Sequence, residues 1–430
     1  MTLPPGPRAP KLVQTLRWAR DPVGYLSQLR RRYGDAFTVR FVGFGVWVYF
    51  ADTQTVASIF QSDPDVMRAG EARDMLEPVV GPRSVLILDG AEHRRQRKLL
   101  LPSFQGSHVR RYGDLMREVA EEELTRWPLG RPFPLRPRMQ HITLEVILRA
   151  VFGFEAPERR AELHGRLVRL LDVAAPILLV PALTRDLGRL SPGGRLSRAR
   201  AEVDELVYEQ IRDRRRTGAG AQGEDVLSLL LGARDEDGEG LDDDSIRDEL
   251  MTLLLAGHET TATGLAWAFE RLVRHPAAME RLLAEIDAGE GDYADAVIRE
   301  TLRVRPVLFD VARKVVEPTD VDGWRLPAGT LVAPALALVH LDPAAHSDPH
   351  AYRPERYADA SPPPRTWVPF GGGPRSCLGA GFALFEMRVV LRTVLEKLAL
   401  RPARPEDEKA KLRNVTVVPG RGAEVIAEPR

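Results

Sequence analysis

The only cysteine of the chain, Cys377, closes the run Phe370-Gly371-Gly372-Gly373-Pro374-Arg375-Ser376-Cys377-Leu378-Gly379. A lone thiol forms no internal disulfide and no multi-cysteine metal cage, so its chemistry is that of a single ligand, a nucleophile or a redox-sensitive group. Three consecutive glycines let backbone approach a flat partner without Cβ obstruction, and Pro374 stiffens the turn that follows. Beyond Gly379 and Gly381 the apolar pattern from Phe382 to Leu400 predicts a helix. A thiol just ahead of a helix N-terminus is biased toward thiolate by backbone N–H groups and the macrodipole. Held rigidly in that way, a thiolate suits an axial ligand to haem iron.

Three further groupings combine reactive side chains. Ala256-Gly257-His258-Glu259-Thr260-Thr261 interrupts an otherwise apolar helical stretch from Asp244 to Arg274. Glycine costs about 1 kcal/mol in a helix and threonine can bond back to the i−4 carbonyl, so a local bulge is expected there. In His93-Arg94-Arg95-Gln96-Arg97-Lys98, helical spacing puts His93 and Arg97 on one face and Arg94 and Lys98 on a neighbouring one. Glu300 and Arg303 stand at i,i+3, where they can pair, and Arg353-Pro354-Glu355-Arg356-Tyr357 follows before the cysteine loop.

The elements that must position these groups are mostly helical in period: Tyr112 to Trp127, Arg160 to Val173, Ser197 to Arg216 and the long stretch Asp244 to Arg274. The last is roughly 45 Å of helix at about 1.5 Å per residue. Ala36 to Val42 and Val46 to Phe50 flank Gly43-Phe44-Gly45 and predict a hairpin; Val321 to Ala333 predicts a second, with turns at Asp322-Gly323 and Pro327-Ala328-Gly329. Residues 217–239 predict a surface loop around a short apolar segment, Val226 to Leu231. With no internal repeat and no long linker, the expectation is one mainly α-helical domain over residues 1–430 with a minor β region. Lys+Arg and Asp+Glu are both 61, which argues against nucleic acid or an anionic membrane as the main partner. Met1 to Arg8 contains no apolar stretch before its prolines, so neither signal peptide nor membrane anchor is expected, and a single cysteine fits a reducing, cytoplasmic setting.

The cysteine run resembles the haem-binding loop of the cytochrome P450 superfamily, Phe-Gly-x-Gly-x-Arg-x-Cys-x-Gly, with every fixed position filled. The resemblance covers almost the whole chain and implies the P450 fold, with a long central helix across haem b. It implies Cys377 as iron ligand, with Phe370, Gly371 and Gly379 shaping the cofactor loop. His93, Arg97, Arg313 and Arg375 match the family's haem-propionate contacts; the family often has Trp in the first of these helices, and its absence makes His93 the second contact there. The centre of the long helix is similar to the family's oxygen-binding motif, which implies that Thr260 hydrogen-bonds dioxygen and that Glu259 belongs to the proton path. Glu300, Arg303 and Arg356 correspond to a buried ionic network. Segments matching substrate-contacting regions supply Ser84, Val85, Ile87, Leu255, Ala256, Val307, Leu308, Phe309 and Val417, nearly all apolar; Ala174 to Ala182 reads either as an entrance lining or as a packed connection.

The implied activity is that of a soluble, monomeric, bacterial-type haem-thiolate monooxygenase. It would insert one oxygen atom from O2 into a hydrophobic small molecule of terpenoid, steroid or fatty-acid size. Electrons would come from a ferredoxin served by an NAD(P)H-dependent ferredoxin reductase, with Arg94, Arg95 and Lys98 facing the donor. A peroxide-driven relative of the same fold would lack the acid–threonine pair, and a haem gas sensor would not need it. A relative that rearranges or couples its substrates is compatible with the same motifs.

Overall fold

The computed structural model describes residues 3–104, 106–154, 156–178, 181–218, 223, 225–289, 291–358 and 363–430. Its chain falls into two compact units, each discontinuous in sequence: Met1–Met67, Met116–Ile142 and Glu259–Arg430 form one, and Arg68–Leu115 with Thr143–His258 form the other. Two helices, Leu135–Ala150 and Asp243–Val273, contribute residues to both.

The first unit carries the sheet structure. Ala36–Phe41 and Gly45–Phe50 pair antiparallel, Phe41 opposite Gly45, with Gly43 and Gly45 both at positive φ in the turn. Leu331–Pro334 then pairs parallel to Gly45–Phe50 and antiparallel to Arg313–Val315, with Met67–Arg68 at the edge. The second predicted hairpin is only half right. Thr319–Val321 and Trp324–Leu326 form a two-stranded ribbon through Asp322 (φ 49°) and Gly323 (φ 76°). The Pro327-Ala328-Gly329 turn sends the chain on to Leu331–Pro334 in a different sheet, because the apolar Val332 and Ala333 are buried against the first hairpin. A three-stranded sheet joins Phe133–Pro134, Glu424–Pro429 and Leu398–Pro402, and Ala410–Arg413 pairs with Thr416–Pro419. The core beside the first hairpin is aromatic: Phe37 stacks on Tyr49 at 5.6 Å and Trp18 meets Phe41 at 5.1 Å.

The second unit is helical. Pro157–Leu178 packs on Pro192–Thr217, which packs in turn on Val226–Gly232, so the short apolar segment expected within a surface loop is a helix. Asp225 caps that short helix by accepting from Ser228 N–H at 3.0 Å, and Val226, Leu227 and Leu230 are fully buried, so packing decides a segment too short to fold alone.

The long helix begins after Asp242, whose carboxylate accepts from Ser245 N–H at 2.8 Å, and carries Asp243 and Asp244 in its first turn, where the dipole favours negative charge. It is α-helical throughout, and the bulge expected at 256–261 is absent. Packing overrides the local weakness. Gly257 lies so close to Ile147 that a Cβ would sit 3.1 Å from its Cδ1, and Thr143 Oγ1 donates to the His258 carbonyl at 2.9 Å. His258 itself is buried.

Candidate functional site

The cysteine loop is held by backbone bonds that its glycines permit. Cys377 N–H donates to Phe370 O at 2.9 Å, Gly371 N–H to Val368 O at 3.0 Å and Ser376 N–H to Gly373 O at 3.0 Å. Gly371 (φ 68°) and Gly373 (φ 65°) adopt a left-handed conformation, and a Cβ on Gly373 would fall 2.0 Å from the Phe60 carbonyl. Trp367 braces Phe370 edge-on at 5.8 Å, and His340 Nε2 accepts from Val368 N–H at 2.9 Å. The helix that follows is Ala380–Lys397, shorter than the predicted span, because Leu398 onward turns into a strand paired with Glu424–Pro429.

Cys377 is exposed although the loop around it is half-buried, and the position a Cβ would take on Gly379 is open. A soft sulfur donor standing clear of a glycine-rich loop fits haem iron. Arg375 is half-buried in the same loop, and Arg313 is buried on its strand with Nη1 donating to Ala312 O at 3.1 Å. In the other unit, the helix Gly90–Leu100 turns His93 inward with Arg97 half-buried, and leaves Arg94, Arg95 and Lys98 outward. Two of those three are engaged: Arg95 Nε lies 2.6 Å from Asp235, and Lys98 pairs with Glu236. Sequence spacing gave no hint that the acidic run at 235–239 neutralises part of this face.

In the middle of the long helix Ala256 is exposed and Leu253, Leu255, Gly257, Glu259 and Thr260 are half-buried, whereas Thr261 to Leu272 are all buried. Glu259 is tied down within its unit. Arg136 Nη2, on a side chain 6% exposed, donates to Glu259 Oε1 at 2.6 Å, while Arg413 Nε stands at 4.0 Å and Thr416 Oγ1 at 3.5 Å from the same oxygen. Burial, partly offset by Glu259, lowers the Arg136 pKa from its ordinary value. Arg136 is the residue that sequence reading missed, since nothing in Leu135-Arg136-Pro137 marks a partner 123 positions away.

Glu300, Arg303 and Arg356 come together. Glu300 and Arg303, both fully buried, form a fork with Nε–Oε2 and Nη2–Oε1 each at 2.7 Å. Arg303 also donates to the carbonyls of His340, Pro349 and Ala351, and Arg356 Nε reaches Glu300 Oε1 at 3.3 Å. Every donor of this buried pair that points inward thus has an acceptor, the condition under which burying charge is tolerable.

The expected substrate-facing residues divide. Ser84 and Val85 are buried and fastened to the long helix: Ser84 Oγ lies 2.6 Å from Thr252 Oγ1, and Val85 N–H donates to Glu249 Oε1 at 2.7 Å. Ile87 and Leu255 are half-buried and Ala256 is exposed. In the other unit Leu308 is half-buried, but Phe309 and Val417 belong to the aromatic core, Phe309 lying 5.7 Å from Trp18, so these two are packing residues. Val307 is buried, its carbonyl accepting from Val417 N–H at 2.8 Å. Of Ala174 to Ala182, Ala174 and Ile177 are buried and residues 179–180 lie outside the described set.

Comparison with known proteins gives one answer. The family model described as cytochrome P450 matches residues 4–426. Cytochrome P450 135B1 of Mycobacterium tuberculosis is 43% identical over 434 residues, covering 99% of this chain and 91% of its own. Cytochrome P450 138 of the same organism is 39% identical over 429 residues, covering 100% and 97%. Among solved structures, the haem domain of cytochrome P450DA superposes with a TM-score of 0.88 at 25% identity, covering 100% of this chain and 98% of that one. A cyanobacterial CYP120A1 with bound retinoic acid has the same fold, with a TM-score of 0.85 at 23% identity and full coverage of both chains.

Proposed function

The chain belongs to the cytochrome P450 family of haem-thiolate monooxygenases, and from that premise we propose that it oxygenates a hydrophobic small molecule of terpenoid, steroid or fatty-acid size with electrons from a ferredoxin. Its cofactor is haem b, with iron bound through a cysteine thiolate, and Cys377 is the only cysteine in the sequence. Dioxygen and a redox partner are required of any such monooxygenase. Among the described residues, no helix is long and apolar enough to cross a membrane. A cytoplasmic, monomeric enzyme is part of the proposal.

When bound, the haem supplies the activation of dioxygen and the oxidation of the substrate carbon, with the thiolate donating electron density. The protein's part is binding, orientation and proton control. Cys377 holds the iron from a loop whose backbone bonds fix the sulfur; Arg313, Arg375, His93 and Arg97 are assigned to the propionates, which guanidinium forks pair bidentately. Thr260, half-buried at the middle of the long helix, is assigned the hydrogen bond to dioxygen. Glu259 holds its charge against Arg136 and is assigned the delivery of protons from solvent to Thr260.

The acid–threonine pair Glu259-Thr260 carries the reading, because a peroxide-driven relative of the same fold would lack it. Incubation of the haem-loaded protein with a ferredoxin, its reductase and NAD(P)H should oxidise a bound lipid, while peroxide alone should not match it. Faster turnover with peroxide alone would overturn the proposal and favour a peroxygenase.

A further inference from the structure

Within the first unit, a polar cleft of 410 Å³ opens beside the end of the long helix, lined by none of the residues assigned above to haem or oxygen. Four arginines line it: Arg271 in the last turn of that helix, Arg274 just past its end, Arg305 just past Tyr293–Val304, and Arg353 ahead of Glu355–Ala358. The carboxylates available to them are few. Glu270 is buried beneath, with Oε2 accepting from Arg271 Nε at 2.6 Å and Oε1 from Arg274 Nε at 2.6 Å. Asp407 adds weaker contacts to the same two arginines at 3.7 and 3.6 Å, and Asp348 stands on the wall.

Arg305 is left out of this pairing. Its Nη1 donates only to the neighbouring Val304 carbonyl at 3.2 Å, and its guanidinium lies over the Trp267 ring at 5.3 Å. Its Nε is buried with no hydrogen-bond partner, and no carboxylate comes within ion-pair distance, among the described residues. Burial, and after it the like charge of Arg271, depress its pKa. Glu270 and Asp407 offset part of that effect from beyond ion-pair distance, and a half-buried guanidinium without a direct carboxylate partner, lining a cleft, suits recognition of an oxyanion. Four arginines on one cleft, of which Arg305 has no direct carboxylate partner, outnumber the carboxylates Glu270, Asp407 and Asp348 and make the cleft complementary to negative charge.

We propose that this cleft is a binding site for a small oxyanion, the phosphate or carboxylate group of a soluble metabolite, with Arg305 as the principal contact and Arg353 at the exposed rim. Binding there is communicated to the fold, because Arg353 N–H donates to Glu300 Oε1 at 2.8 Å and the Ala351 carbonyl accepts from Arg303. An occupied cleft therefore braces the loop that holds the Glu300–Arg303 pair.

The test uses the haem-loaded protein, titrated calorimetrically and by thermal melting with inorganic phosphate, with citrate, and with sodium chloride at matched ionic strength. Saturable binding and a raised melting temperature are expected with phosphate, citrate or both, and the stronger of the two names the chemical source. Arg305→Gln should weaken that binding about tenfold or more, the loss of a charge-assisted hydrogen bond. Arg353→Gln provides a second variant on the exposed rim should the first fold poorly, and it too should weaken binding. Arg325→Gln, at an exposed ion pair outside the cleft, should bind as the wild type does. Responses no larger than those to sodium chloride, or unchanged binding in both cleft variants, would overturn the proposal.

Discussion

Glu259 sits where two opposing demands meet. Its carboxylate is held by Arg136 at 2.6 Å, with Thr416 Oγ1 at 3.5 Å and Arg413 at 4.0 Å from the same oxygen, while the proposed role asks it to pass protons on. The Thr260 hydroxyl, one residue along, is what such a carboxylate would serve. Thr260→Ala should therefore leave folding and substrate binding intact while electrons drain to hydrogen peroxide; the ratio of product to oxygen consumed is the measurement, and an unchanged ratio removes Thr260 from the proton path. Arg136→Gln removes the nearest of the three groups on that carboxylate and leaves Thr416 and Arg413. Turnover should fall while the substrate-induced spectral change stays put. Cys377→Ala is the simplest case: without the sole thiol, reduced protein under carbon monoxide should lose the strongly red-shifted absorption of thiolate ligation.

At the scale of elements, the first half of the long helix acts as a spine onto which the Gly81–Ile87 segment is stapled. Arg247 Nη1 donates to Val80 O at 3.2 Å, Asp248 Oδ2 accepts from Arg83 N–H at 2.9 Å, and Glu249 Oε1 accepts from both Val85 N–H at 2.7 Å and Gln96 Nε2 at 3.0 Å. Burial pushes the Glu249 carboxyl up from its ordinary 4.5 to about 8, so the folded chain keeps a proton that the unfolded chain releases. The native state thus binds more protons between those values, and stability from this group falls as pH rises through the window, at up to about 1.4 kcal/mol per pH unit. Glu249→Gln copies the protonated acid and keeps the one oxygen that accepts both bonds. Chemical denaturation should show the variant matching wild type near pH 5 and exceeding it near pH 8; parallel pH profiles would mean that Glu249 is ionised when folded. None of this was legible in sequence, where Glu249 is one more acid in a helix. The Glu300–Arg303 pair was legible through the family resemblance, the i,i+3 spacing alone being common, and removing one partner by Arg303→Ala should cost about 3–5 kcal/mol in the same assay.

For the molecule as a whole, local pattern carried far and then stopped at tertiary pairing. Helix periods and the glycine-flanked hairpin follow from side-chain spacing alone, so they could be read. The division into two discontinuous units could not, since it depends on which distant segments pack together. The same limit applies to Phe309 and Val417, apolar in sequence and therefore ambiguous between pocket and core until Trp18 closed over Phe309. Charge behaves likewise. A net charge of zero conceals a helix face where Arg94, Arg95 and Lys98 project together, and where Asp235 and Glu236 occupy two of the three. If an acidic ferredoxin docks on this face, it must compete with the chain's own acidic loop for Arg95 and Lys98, whereas Arg94 is exposed and has no ion pair recorded among the described residues. Raising ionic strength then acts twice, screening the partner's approach while loosening the internal pairs, and with a Debye length of about 8 Å at physiological salt both effects are short-ranged. Stopped-flow reduction by a ferredoxin should accordingly slow in Arg94→Glu, with substrate affinity unchanged. Asp235→Asn together with Glu236→Gln should speed it at low salt by freeing the two basic partners. Rates indifferent to salt and to both sets of substitutions would place the electron donor on another face of the protein.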